Sequence, residues 1–203
     1  MANYCKANNN NEEVVSQGET WGTPSTEYKG CWTYNEYLYA NVVLYNGKYN
    51  GLFKEAGKKL GIDWRLIASH CHTENTNFSL DAKNPKSSAS GLWQIVDGTW
   101  WNKEKNVGYA PFNRRDYSWK KDPQSSNDTY INIMTDLAKK YANASSTNDK
   151  ILLMLQAYHD GPNNVGNIKR YADYQPKTKD KKEALEYIPK IMKEYKKNGG
   201  QIQ

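Results

Sequence analysis

Residues 151–155 read Ile-Leu-Leu-Met-Leu, a run in this 203-residue chain that is apolar on every side of a helix. Such a helix has no stripe to turn toward water, so it belongs at the buried centre of a domain. The segments around it carry the pattern of a shell. Leu52, Phe53, Ala56 and Leu60 recur at helical spacing, and Gly61 ends that element. Asp63 is placed to cap the next helix, in which Leu66, Ile67 and His70 share a face and Glu74 follows one turn after His70. A helix over about 124–142 sets Ile131, Met134, Leu137, Ala138 and Tyr141 on one side. After Gly161-Pro162 a shorter helix is expected to carry Val165, Ile168 and Tyr171. The last helix, about 181–197, turns Ala184, Leu185, Ile188, Ile191, Met192 and Tyr195 inward, with Pro189 expected to kink or break it.

Between these elements lie a polar loop over 75–90, a short helix near Asp97 carrying Trp100 and Trp101, and a broken polar stretch over 102–122. The fold class that follows is mainly α. Residues 46–203 read as one helical domain. Residues 1–45, with the run Asn8–Asn11, the turn formers Gly18, Gly22 and Pro24, and many tyrosines, hold no helical period. They read as an irregular extension packed on the domain through Trp21, Trp32 and some of the tyrosines.

Three cysteines, Cys5, Cys31 and Cys71, are too few and too scattered for a disulfide framework or a zinc site. A Cys5–Cys31 bridge is one arrangement they allow. His70, Cys71 and His72 are neighbours one and two apart, which do not face each other on a helix, so no metal and no cofactor is expected. The first residues lack the apolar core of an export signal, and no apolar run is long enough to span a bilayer. The reading is a chain made in the cytoplasm and not inserted in a membrane. The net charge of +6 favours an anionic partner. Its basic residues are dispersed rather than gathered into a recognition segment, which argues against nucleic acid.

Aromatic residues reach 13%, with 16 Tyr and 7 Trp against 3 Phe. Tyr and Trp join an apolar body to a polar tip and suit wet ligands such as sugars. Glu74 closes its helix beside apolar residues, where partial desolvation would raise the carboxyl pKa toward that of a general acid. Downstream come Ser90-Gly91-Leu92-Trp93-Gln94-Ile95, then Gly98-Thr99-Trp100, then Asp122-Pro123 with Asn127 behind it. Ala157-Tyr158-His159-Asp160-Gly161-Pro162 and Glu183-Ala184-Leu185-Glu186-Tyr187-Ile188-Pro189 complete the set.

In that order the motifs resemble those of the soluble-type lytic transglycosylases and the related goose-type lysozymes, over roughly residues 48–195. The resemblance implies a lysozyme-like helical domain that acts on peptidoglycan strands. It implies Glu74 as catalytic acid and base, with Gln94, Tyr158, Tyr187, Trp93, Ser90 and His159 as substrate-binding residues; Trp93, bulkier than the family's Met, is expected to form a wall for stacking on sugar. In the family mechanism one carboxyl group protonates the glycosidic oxygen between N-acetylmuramic acid and N-acetylglucosamine. It then takes the proton of the muramoyl C6 hydroxyl, which closes a 1,6-anhydro ring. This chain departs from the family pattern at Asn75 in place of Ser, at His159-Asp160 in place of Asn-Ala, and in a slightly longer loop between Glu74 and Gly91.

Two other readings stand beside this one. A goose-type muramidase would hydrolyse the same bond with help from aspartates, for which Asp81 and Asp97 are the candidates, though neither is in clean register. A non-catalytic glycan-binding or structural virion protein would keep the fold without turnover. The expected setting is a bacteriophage, as an endolysin or as a virion component with other virion or tail proteins as partners.

Overall fold

The computed structural model describes the backbone of residues 2–6, 13–17 and 31–33 and the whole of residues 42–200. The chain divides into two compact units, Met1–Asn50 and Gly51–Gln203. In the first, strands β1 (Ala2–Lys6), β2 (Glu13–Gln17) and β3 (Cys31–Thr33) form an antiparallel sheet in the order β2-β1-β3. The sequence, read as irregular here, carries no sustained alternation that announces these strands. The register sets Cys5 opposite Cys31. The side chains of both, like the expected packing of Trp21 and Trp32, lie outside the described residues.

The second unit is helical, its first helix beginning at the boundary residue Asn50: α1 (Asn50–Leu60), α2 (Trp64–Glu74), α3 (Asp97–Trp100), α4 (Pro123–Lys140), α5 (Thr147–Asp160), α6 (Pro162–Val165) and α7 (Lys181–Lys197). As the apolar run requires, α5 is central, packing against α4, α6 and α7, while α2 packs on α7. Leu153, Met154 and Leu155 are at most 2% exposed.

Caps set the helix starts where local chemistry demands them. Asp63, Asp122, Ser146 and Asp180 each accept from a backbone N–H in the first turn of α2, α4, α5 and α7. Gly61 takes a φ of +66°, the left-handed turn that separates α1 from α2. Asp63 does more than cap. It pairs with Arg65 at 2.5 Å and accepts from Tyr195 Oη of α7 at 2.8 Å. Asn198, just past α7, donates to Ser69 Oγ at 2.9 Å. Together these contacts hold α7 along α2.

Three expectations are corrected. The helix after Gly161 stops at Val165, because Gly166 turns to a φ of +78°; Tyr171 lies in a separate 3-10 turn, Tyr171–Asp173. Leu185 is 53% exposed and not part of the core. α7 runs through Pro189 as one helix, so the proline does not end it.

Candidate active site

Glu74 is the last residue of α2 and lines a cleft of about 1040 Å³, with its side chain 13% exposed. Tyr187 and His70 stand against it, and Tyr158 and His159 line the same cleft. The Tyr187 hydroxyl on α7 donates to Glu74 Oε1 and also lies 2.8 Å from His70 Nε2. His70 Nδ1 lies 3.0 Å from the Tyr130 hydroxyl. Tyr187 has one proton to give, and it goes to the carboxylate. His70 must therefore donate to Tyr187 through Nε2–H and accept from Tyr130 at Nδ1. The result is a directed chain, Tyr130 to His70 to Tyr187 to Glu74, behind the cleft.

Burial explains the electrostatics of this chain. It pushes the Glu74 carboxyl up to about 7, against the hydrogen bond from Tyr187 and the charge of His159, both of which lower it; nearby Glu183 raises it. Fully buried His70 is pushed down to about 3, first by burial and then by the charge of His159, so it is neutral and keeps one tautomer. Cys71 points elsewhere, toward Leu92 O at 3.5 Å, and burial pushes its thiol well up, which makes it inert packing.

The helix end is locked to the loop that follows. Asn75, 6% exposed, donates to Ser79 O at 2.7 Å and Gly91 O at 3.1 Å, and accepts from Ser79 N–H at 3.1 Å. The departure from the family's serine therefore supplies an anchor for the loop. Gly91 O also accepts from Gln94 Nε2 at 2.9 Å. Gly91 sits at a φ of +78° with Lys120 O only 2.4 Å from where a Cβ would stand, so glycine alone fits.

The structure brings some of the expected residues to the cleft and takes others away. Gln94, Tyr158, His159 and Tyr187 line it with Glu74. Gln94, at a φ of +48°, spends its amide N–H groups on Gly91 O and, at 3.4 Å, Ala82 O, which leaves its carbonyl as the group it can offer. The Tyr158 hydroxyl donates to Trp93 O at 2.6 Å and its ring meets His70 edge-on at 4.9 Å, so it does not hold the acid.

Trp93 is a correction. It is fully buried and stacked on Tyr130 at 3.6 Å, so it is a floor beneath the cleft and cannot stack on a sugar. Ser90 is another. Its hydroxyl faces Lys120 Nζ at 3.4 Å and lines a separate cavity of about 340 Å³. Asp81 and Asp97 line that same cavity, where Asp81 pairs with Lys121 and Asp97 with buried Lys120 at 2.6 Å. His70 and Tyr130 are the members of the site that the sequence did not single out. The available signal was the placement of His70 one turn before Glu74.

A helical domain that sets a desolvated carboxyl group with a pKa pushed up to about 7 in a cleft of this size has the form of a glycan-cleaving enzyme. Residues 51–181 match the model of the family described as the transglycosylase SLT domain, and the chain belongs to that family. Its members are peptidoglycan lytic transglycosylases, enzymes that cleave glycosidic bonds, and this chain is one of them by fold and family. No curated protein matches the chain.

Proposed function

We propose that Glu74 alone serves as acid and base in cutting the bond from N-acetylmuramic acid to N-acetylglucosamine, leaving 1,6-anhydro ends. The observation that carries this reading is a cleft carboxyl pushed up to about 7 by burial, with a hydrogen-bond donor fixed on one of its oxygens. Near neutral pH such a group holds its proton part of the time and can both give and take one. In the forward step the Glu74 proton passes to the glycosidic oxygen as the bond to C1 breaks. The muramoyl C6 oxygen then bonds to C1, and its proton returns to Glu74. No water enters, so no second carboxylate is needed to activate one, unlike most glycosidases.

The placement of Asp160, Asp81 and Asp97 favours this over hydrolysis. Asp160 lines the cleft, but its side chain has no exposed surface and its oxygens are taken up by His159, Tyr174 and Gln156, so it has none free to activate a water. Asp81 and Asp97, the candidates for a goose-type mechanism, face the neighbouring cavity. Gln94 offers a carbonyl to an N-acetyl N–H or a hydroxyl, and Tyr158, Tyr187 and His159 shape the wall beside it.

Digestion of purified peptidoglycan with mass analysis of the products tests the reading. Ends one water lighter than the hydrolysis products are expected, and Glu74→Gln should clear no wall material. Hydrolytic ends would transfer the chain to the muramidase reading. Equal clearing by Glu74→Gln would remove Glu74 from the chemistry, and no clearing by the wild type would favour a binding protein. We place the work of the enzyme on a bacterial wall during bacteriophage entry or lysis, a setting that the net charge of +6 suits through attraction to anionic wall polymers. Finding the protein in purified particles would separate a virion role from a lysis role.

A further inference from the structure

His159 lies where the family has a neutral side chain, and the structure gives it an unusual set of neighbours. Its Nδ1 is 2.6 Å from Asp160 Oδ1. Asp160 is itself held from behind by the Tyr174 hydroxyl and by Gln156 Nε2 at 3.0 Å, and its side chain has no exposed surface. The imidazole ring lies against the Tyr187 ring, with centroids 4.2 Å apart and planes 31° from parallel. Tyr187 is the residue whose hydroxyl donates to Glu74. On the other side, His159 Nε2 is 3.8 Å from Glu183 Oε1 at the start of α7. A buried carboxylate thus accepts from Nδ1–H and fixes the tilt of an imidazole ring that borders the same cleft as Glu74.

We propose that the His159–Asp160 dyad is a charge-setting partner of Glu74: it holds an imidazolium beside the carboxyl group, so that each of the two groups sets the proton affinity of the other. This rests on the reading of Glu74 as the acid, yet the coupling can be measured without it. The groups that face His159 are Asp160 on its own helix, Glu183 and Tyr187 from α7, and Glu74 and His70 from α2. His70 is neutral and does not compete for the charge. Burial pulls the His159 pKa down, but the hydrogen bond it donates to Asp160 and the charges of Glu74, Asp160 and Glu183 outweigh it, and the net direction is up. The charge of each group thus enters the titration of the other.

The chemical consequence is a trade. A cation beside Glu74 makes it a stronger acid toward the glycosidic oxygen and steadies the carboxylate that must next accept the C6 hydroxyl proton. The same cation reduces the share of enzyme that holds the Glu74 proton at neutral pH. His159 therefore acts as a positioning residue for the pH range of the reaction, whatever else it touches in the substrate.

Carbon-13 titration of the Glu74 carboxyl group in the free, full-length protein tests this. In His159→Gln the Glu74 pKa should rise by on the order of one unit. In His159→Arg, which keeps a cation, it should stay near the wild-type value. The reciprocal measurement needs no change at 159: in Glu74→Gln the His159 ring should titrate lower by the amount that His159→Gln raises Glu74. The basic limb of kcat/KM should follow the Glu74 pKa upward in His159→Gln. An unchanged Glu74 pKa in His159→Gln, an equal shift in His159→Arg, or an unmoved His159 in Glu74→Gln would each overturn the proposal. Should Glu74→Gln still clear walls while the reciprocal shifts appear, the coupling stands and the acid assignment falls.

Discussion

Replacing Glu74 by Gln should stabilise the protein, and by an amount that depends on pH. The folded carboxyl is pushed up to about 7 from an ordinary value of 4.5. An acid whose pKa is raised by folding favours the folded state fully below its unfolded pKa, and that contribution is lost as pH rises through the folded one. The loss therefore runs from about pH 4.5 to about pH 7. A difference of about 2.5 pH units at about 1.4 kcal/mol each corresponds to about 3 kcal/mol. At 13% exposure, solvent screening trims this little. Gln keeps the shape and a carbonyl for the Tyr187 hydroxyl but never charges. Guanidinium unfolding of wild type and Glu74→Gln at a series of pH values from 4 to 8 reads the difference. The variant should gain about 2–3 kcal/mol on the wild type between pH 4 and pH 8, whatever constant offset the amide introduces. A gap that does not change with pH would refute the claim that Glu74 is desolvated, and with it the reason it could act as an acid near neutrality.

Tyr187→Phe removes the donor to Glu74, an interaction of about 1.5–3 kcal/mol for a charged acceptor, so the Glu74 pKa should climb by about one to two units more. The same change strands the Nε2–H of buried His70 and should lower stability by about 1–3 kcal/mol; a Glu74 titration that stays in place would break the proposed hydrogen-bond chain. Trp93→Ala should cost about 3–5 kcal/mol in chemical unfolding, as for a buried aromatic, while Trp93→Phe should leave the KM for glycan nearly unchanged. A KM raised by Trp93→Phe at unchanged stability would return Trp93 to the sugar-binding wall. Gly91→Ala must move Lys120 O or its own left-handed turn, and a Tm drop of several degrees is expected; an unaltered Tm would show that the loop yields easily.

Much of the helical unit was legible because its signals are local. The cap Asp63, the turn at Gly61 and the all-apolar run at 151–155 act within a few residues, and the observed helices start and stop close to them. Glu74 at the end of α2 was legible for the same reason. The N-terminal strands were not, since each is 3 to 5 residues long and β3 pairs with β1 across a wide sequence gap. Leu185 fits the apolar face of α7 in a helical count, yet it is exposed, because the core that covers its neighbours does not reach it.

Within the site the division is sharper. The sequence alone determined that a helix would end in Glu74 and that Tyr187 would be carried on the last helix. It could not determine side-chain direction in the turn over 91–95, which has no period to read. Only the packed structure sends Trp93 down onto Tyr130, leaves Gln94 at the cleft and turns Ser90 toward Lys120. Nor could it join His70 to Tyr130 and Tyr187, which lie 60 and 117 positions away. A carboxyl pKa near 7 is a property of that enclosure: it arises from the water that α7 and the floor of the cleft exclude, and no residue type or spacing contains it.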